Sequence, residues 1–86
     1  MSYSEEVKRA VWGRARPISG KDPRLFRKDV DGNEIRWEQY GNRGSASGWE
    51  IHEIGDVSRG GGGSPRNLVA LHWRINANLG RAVGNG

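Results

Sequence analysis

The chain of 86 residues has no cysteine. Disulfide staples and thiolate zinc sites are therefore excluded, and any metal has to be held by imidazole, carboxylate or amide groups. The absence carries no information on redox compartment. Long apolar runs are lacking too. The longest is Leu68–Leu71, far below the ~20 residues a membrane span needs. The opening "MSYSEEVKRA" is acidic and then basic, with no apolar stretch to serve as a signal. The expected location is the cytoplasm of a bacterial host cell, with no membrane partner. No internal repeat is visible. At this length one domain is expected, with a modest core.

What the chain has in excess is positive charge. Fourteen Lys and Arg stand against ten Asp and Glu, for a net charge of +4. Most of the basic residues are arginine, whose planar guanidinium matches phosphate. An arginine-rich small domain points to an anionic partner, with nucleic acid first. The plainer reading is a soluble surface with a basic bias, because the arginines are spread along the chain.

The segment "SYSEEVKRAVW" predicts a short helix. Ser4 is its cap, Glu5 and Glu6 suit its positive end, Val7, Ala10 and Val11 fall at helical spacing, and Gly13 and Pro17 stop it. Asp31-Gly32 marks a hairpin between strands at 25–28 and 34–37. "WEIHEI" reads as a strand with Trp49, Ile51 and Glu53 on one side and Glu50, His52 and Ile54 on the other. "GDVSRGGGGSP" is a glycine-rich connection, centred on 60–64, that looks as much like an engineered linker as a natural loop. "NLVAL" predicts a short buried strand, and "HWRINANLG" a helix that ends at Gly80. The expected class is α+β: an N-terminal helix, a β-hairpin, then two strands and a helix.

The strand–loop–strand–helix order carries the chemistry. His72 and Asn76 stand four residues apart, so on one helix they share a face. Together with His52 on the strand they form a candidate metal set. The stretches "GKDPRLFRKDVDGNEIRWEQYG", "GWEIHEIGDVSRGG" and "NLVALHWRINANLG" resemble a small bacterial and phage branch of the HNH endonucleases, over residues of about 11–81. The resemblance implies a ββα-metal core and metal-assisted hydrolysis of a DNA phosphodiester, in which a metal polarises the phosphate and a histidine takes a proton from water. It places the ligands at His52, His72 and Asn76, and the general base at Glu53. Trp49, Asn67 and Trp73 match its structural positions. Arg66, Arg74 and Arg81 are the candidate nucleic-acid contacts.

The chain departs from the family at the places that matter most. His52 stands where the family has an aspartate. The resulting set of two imidazoles and an amide has no carboxylate and favours Zn²⁺ or Ni²⁺ over Mg²⁺, so the expected cofactor is a divalent metal (Zn²⁺, Ni²⁺, Mn²⁺ or Mg²⁺), or none if the centre is degenerate. Glu53 stands where the family has its catalytic histidine. A carboxylate is a weaker base by about two pKa units, and a general base is worth about 10²–10⁴-fold. His52 and Glu53 cannot simply exchange roles, since neighbours on a strand point to opposite faces. Leu79, Arg81 and Asp56 replace a basic residue, an acid and a proline of the family pattern.

Each candidate also has a plainer reading. His52 is then an exposed strand residue, His72 a cap on the final helix, and Asn76 an ordinary polar helix residue. Asn67 makes backbone bonds that shape the loop, and the four tryptophans are core. The expectation is an HNH-type protein with a degenerate centre that binds DNA or a protein of a nucleic-acid-processing complex. By analogy with small phage proteins, an anti-defence role such as blocking a CRISPR effector fits. The alternative is an active, metal-dependent nuclease that uses His52, His72 and Asn76 for the metal and Glu53 as an unusual base.

Overall fold

The computed structural model describes residues 3–54 and 67–85, with side chains to residue 79. The glycine-rich stretch at 60–64, Asp56 and Arg66 lie outside the described residues, as does the side chain of Arg81. The fold is α+β. It runs α1 (Glu5–Arg14), β1 (Arg16–Pro17), β2 (Phe26–Lys28), β3 (Glu34–Arg36), a 3₁₀ turn (Trp37–Gln39), β4 (Trp49–Glu53), β5 (Leu68–His72) and α2 (Trp73–Asn85). β1, β2 and β3 form one antiparallel sheet, and β4 and β5 form a second antiparallel pair.

α1 starts as its sequence dictates. The Ser4 hydroxyl accepts the Val7 N–H at 3.1 Å, which satisfies one of the orphan donors of the first turn. The helix passes Gly13 and ends one residue later, at Arg14. β1 follows at once and has no counterpart in the sequence reading, because a two-residue strand has no periodicity to detect. Tertiary contacts hold it. The Arg27 guanidinium of β2 donates to the carbonyls of Ala15 at 2.8 Å, Gly13 at 3.3 Å and Pro23 at 2.8 Å.

The hairpin between β2 and β3 is centred on Asp31-Gly32 as expected, with Gly32 at φ +88°. Its strands are one residue shorter than expected at each outer end. A buried carboxylate builds the turn. Asp29 Oδ1 accepts the N–H groups of Asp31 at 3.0 Å and Asn33 at 2.8 Å, and Oδ2 accepts the Asn33 amide at 3.2 Å. The same Oδ2 also accepts the His72 N–H at 2.8 Å, which ties the hairpin to the end of β5.

The core lies between α1 and the two sheets. Trp49, Ile35, Val11 and Leu68 are almost wholly buried. The Trp49 ring meets Trp12 at 5.0 Å, Trp37 at 5.8 Å and Tyr40 at 4.9 Å, within the range of favourable aromatic pairs. Trp12 and Trp49 are core tryptophans, whereas Trp37 and Trp73 keep part of their surface exposed. The helix ring that Trp49 meets belongs to α1.

α2 differs from expectation at both ends. It begins at Trp73, so His72 is the last residue of β5 and not a helix residue. It also runs through Gly80 to Asn85. A single interior glycine costs a helix only about 1 kcal/mol relative to alanine and need not stop it.

Candidate functional site

The register of β4 and β5 assigns each candidate to a face. Trp49 pairs with His72, Ile51 with Ala70 and Glu53 with Leu68; between them Glu50 pairs with Leu71 and His52 with Val69. Cross-strand partners share a face and successive residues alternate. Trp49, Ile51, Glu53 and His72 therefore belong to the core face, and Glu50 and His52 to the other. His52 and Glu53 are on opposite faces, as the alternation requires.

His72 is 8% exposed and both of its ring nitrogens are engaged. The Nδ1 atom accepts the N–H of Arg74, the second residue of α2, at 3.1 Å. A backbone amide only donates, so the proton sits on Nε2, which donates to the Ala46 carbonyl at 2.7 Å. The residue thus caps α2 and anchors the 40–48 loop. Its ring lies 5.9 Å from that of Trp73, whose indole N–H donates to the Ser45 carbonyl at 2.7 Å. Gly48 allows this closure. A Cβ there would lie 2.0 Å from the Asn42 carbonyl oxygen and 2.9 Å from Trp73 Cδ1.

On the other face a chain of polar groups runs from Arg43 to His52. The Arg43 guanidinium grips both Glu50 carboxylate oxygens, through Nε at 2.6 Å and Nη2 at 2.8 Å. Glu50 Oε1 also accepts the Asn76 amide at 2.8 Å. A carboxylate accepts and does not donate, so the Asn76 nitrogen faces Glu50 and its oxygen faces His52. The His52 Nδ1–H then donates to Asn76 Oδ1 at 3.0 Å. With Nδ1 as the donor, Nε2 has no hydrogen-bond partner among the described residues, unlike both ring nitrogens of His72. The Arg43 bonds, and to a lesser degree the Asn76 bond, hold the Glu50 carboxyl below its ordinary range, against a contribution from burial. Burial, and after it the nearby Tyr3 and Glu50, raise the Tyr40 hydroxyl.

The structure thus joins His52 to Asn76 and leaves His72 elsewhere. His72 pairs three residues along from the partner of His52, about 10 Å by strand rise, and on the opposite face. Two imidazoles and an amide so placed do not fit a single ion. Among the described residues no group of three or more His, Cys, Asp or Glu side chains is arranged to hold one. Glu53 is half-buried at the end of β4, beside Leu68. The Asn67 carbonyl accepts the Ile54 N–H at 2.6 Å and closes that end of the pair. Arg74 is exposed, and its guanidinium lies 5.4 Å from the Trp73 ring centre.

Glu50, Arg43 and Asp29 were not among the candidates. Glu50 was legible in principle, since it shares a strand face with His52 at i−2. Arg43 was not, because the geometry of the loop decides where its guanidinium goes. Among the described residues no helix is long and apolar enough to cross a membrane. No family model, curated protein or solved structure matches the chain.

Proposed function

We propose that this protein is an HNH-type ββα scaffold with a degenerate centre, and that it acts by binding nucleic acid. One observation carries the reading: the positions that would ligate a metal are committed to each other and to the fold. Asn76 is clamped between Glu50 and His52, and His72 caps α2. No hydrolytic step is routed through a divalent metal, since the three side chains do not converge. The order of β4, β5 and α2 is compatible with the scaffold. The binding surface is supported by cations that lie against aromatic rings. Arg9 sits 4.4 Å from the Trp37 ring centre, Lys8 4.6 Å from Tyr40 and Arg74 5.4 Å from Trp73. Such pairs offer a phosphate contact next to a stacking platform.

A second reading rests on the Nε2 atom of His52, which has no hydrogen bond among the described residues. Held in place by Asn76, with Glu50 and Arg43 behind it, this nitrogen has the orientation of a general base. The alternative is then an active nuclease that uses His52 as its base, with Glu53 on the opposite face of β4.

Two assays separate the readings. In plasmid nicking with Mg²⁺, Mn²⁺, Ni²⁺ and Zn²⁺, the first reading expects no cleavage by the parent protein. Cleavage that disappears in His52→Ala would move the conclusion to the second. Fluorescence anisotropy with a duplex is expected to show affinity that falls at least tenfold between 50 and 200 mM salt, since each phosphate contact releases counterions. Failure to bind at low salt would leave a protein of a nucleic-acid-processing complex as the partner, in line with an anti-defence role.

A further inference from the structure

A cavity of about 230 Å³ lies between α1, the β1–β2 edge and β5. It shares no lining residue with the Arg43–Glu50–Asn76–His52 chain. Its apolar floor includes Val11, Leu68 and Ala70, and its rim carries Arg14, Arg16 and Lys28. The one carboxylate in the lining is Asp29, both of whose oxygens already accept hydrogen bonds from the β2–β3 turn and His72.

Arg16 and Lys28 are directly opposite each other across β1 and β2. Like charges so paired, with Cβ atoms about 5 Å apart, destabilise a sheet. Neither has an ion-pair partner among the described residues. Arg27, next to Lys28 on β2 and paired with Pro17, belongs to the other face and donates to three carbonyls. Sheet geometry therefore brings two cations together at a cavity mouth, where the lining carboxylate, Asp29, is bound to the N–H groups of the turn and of His72 and forms no ion pair with either among the described residues. The edge of β5 adds a donor. Arg14 caps the Leu68 carbonyl and Asp29 caps the His72 N–H, both on the side of β5 away from β4. The alternation of an antiparallel pair turns the Ala70 N–H to that same side.

We propose that this cavity binds a small organic anion, with a carboxylate or phosphate head between Arg16 and Lys28 and an apolar body against Val11, Leu68 and Ala70. The volume is below that of drug-sized sites, which start at about 300 Å³, so the ligand is smaller than a drug-sized molecule. Charge-assisted bonds to the two cations offset their mutual repulsion, and the apolar floor favours an amphipathic ion over a bare one.

The test is a titration of the full chain with phenylacetate, followed by amide chemical shifts. Saturable shifts at Val11, Leu68 and Ala70 are expected. Lys28→Gln and Arg16→Gln should each weaken binding at least tenfold, with the unliganded spectrum of each variant reporting that the fold is kept. The uncharged isostere 2-phenylethanol should bind at least tenfold more weakly. Absence of saturable shifts, or unchanged affinity in both variants, would overturn the proposal. Equal binding of inorganic phosphate would overturn the apolar part. Shifts of the same amides by duplex DNA, competed by phenylacetate, would reassign the patch to nucleic acid.

Discussion

The two faces of the β4–β5 pair carry one histidine each and use them in opposite ways. On the core face His72 is enclosed: its backbone N–H goes to Asp29, its Nδ1 caps α2 and its Nε2 holds the 40–48 loop. On the other face His52 is half-buried and held at one nitrogen by Asn76, with no hydrogen bond at the second among the described residues. The same side chain serves as a structural bracket in one place and as a group held at a single nitrogen in the other. What separates them is the parity of their positions in the strand register. A motif histidine is therefore not a ligand by virtue of its place in the sequence.

The comparison can be broken most severely at Asp29. Asp29→Ala leaves the donors of Asp31, Asn33 and His72 without their acceptor, and each buried unsatisfied group costs about 1–3 kcal/mol. A loss of about 3 kcal/mol or more is expected in urea unfolding, a large share of the roughly 5–15 kcal/mol of a native domain. His72→Ala comes next, with a loss of about 2 kcal/mol from an N-cap and a second part-buried hydrogen bond. His52→Ala should cost less than about 1 kcal/mol, because it loses one part-buried bond and no helix cap. Equal losses at the two histidines would remove the distinction between the faces.

The smallest effect concerns pH. The Glu50 carboxyl is held below its ordinary value of 4.5, chiefly by Arg43. A depressed carboxyl contributes stability that is fully present above 4.5 and is lost as pH falls through the lower, folded-state value. The parent protein should therefore lose more stability than Glu50→Gln between pH 6 and pH 3, as read from unfolding midpoints. Parallel pH profiles would show that the Arg43–Glu50 pair contributes nothing to the fold, the usual outcome for an exposed pair.

Several elements were legible in the chain because short-range physics specifies them. Ser4 with Glu5 and Glu6 marks the start of α1 through capping and dipole terms alone. The Asp31-Gly32 turn and the alternation in "WEIHEI" gave the hairpin and the two faces of β4. The end of the last helix was misplaced because one glycine is a weak stop signal. The boundary at His72 was missed because the residue that ends a strand and caps a helix belongs to neither period.

The sequence by itself determined the α+β class, the absence of thiol chemistry, the basic balance and the segregation of His52 from Glu53. These follow from composition and from a period of two, and neither needs a distant partner. Only the tertiary structure decided the rest. Asp29 and His72 are 43 residues apart, Arg43 reaches Glu50 across a loop, and Arg16 stands opposite Lys28 because a two-residue strand is held by a neighbour's guanidinium. Such contacts depend on how elements pack in space, and packing joins residues whose separation along the chain carries no signal.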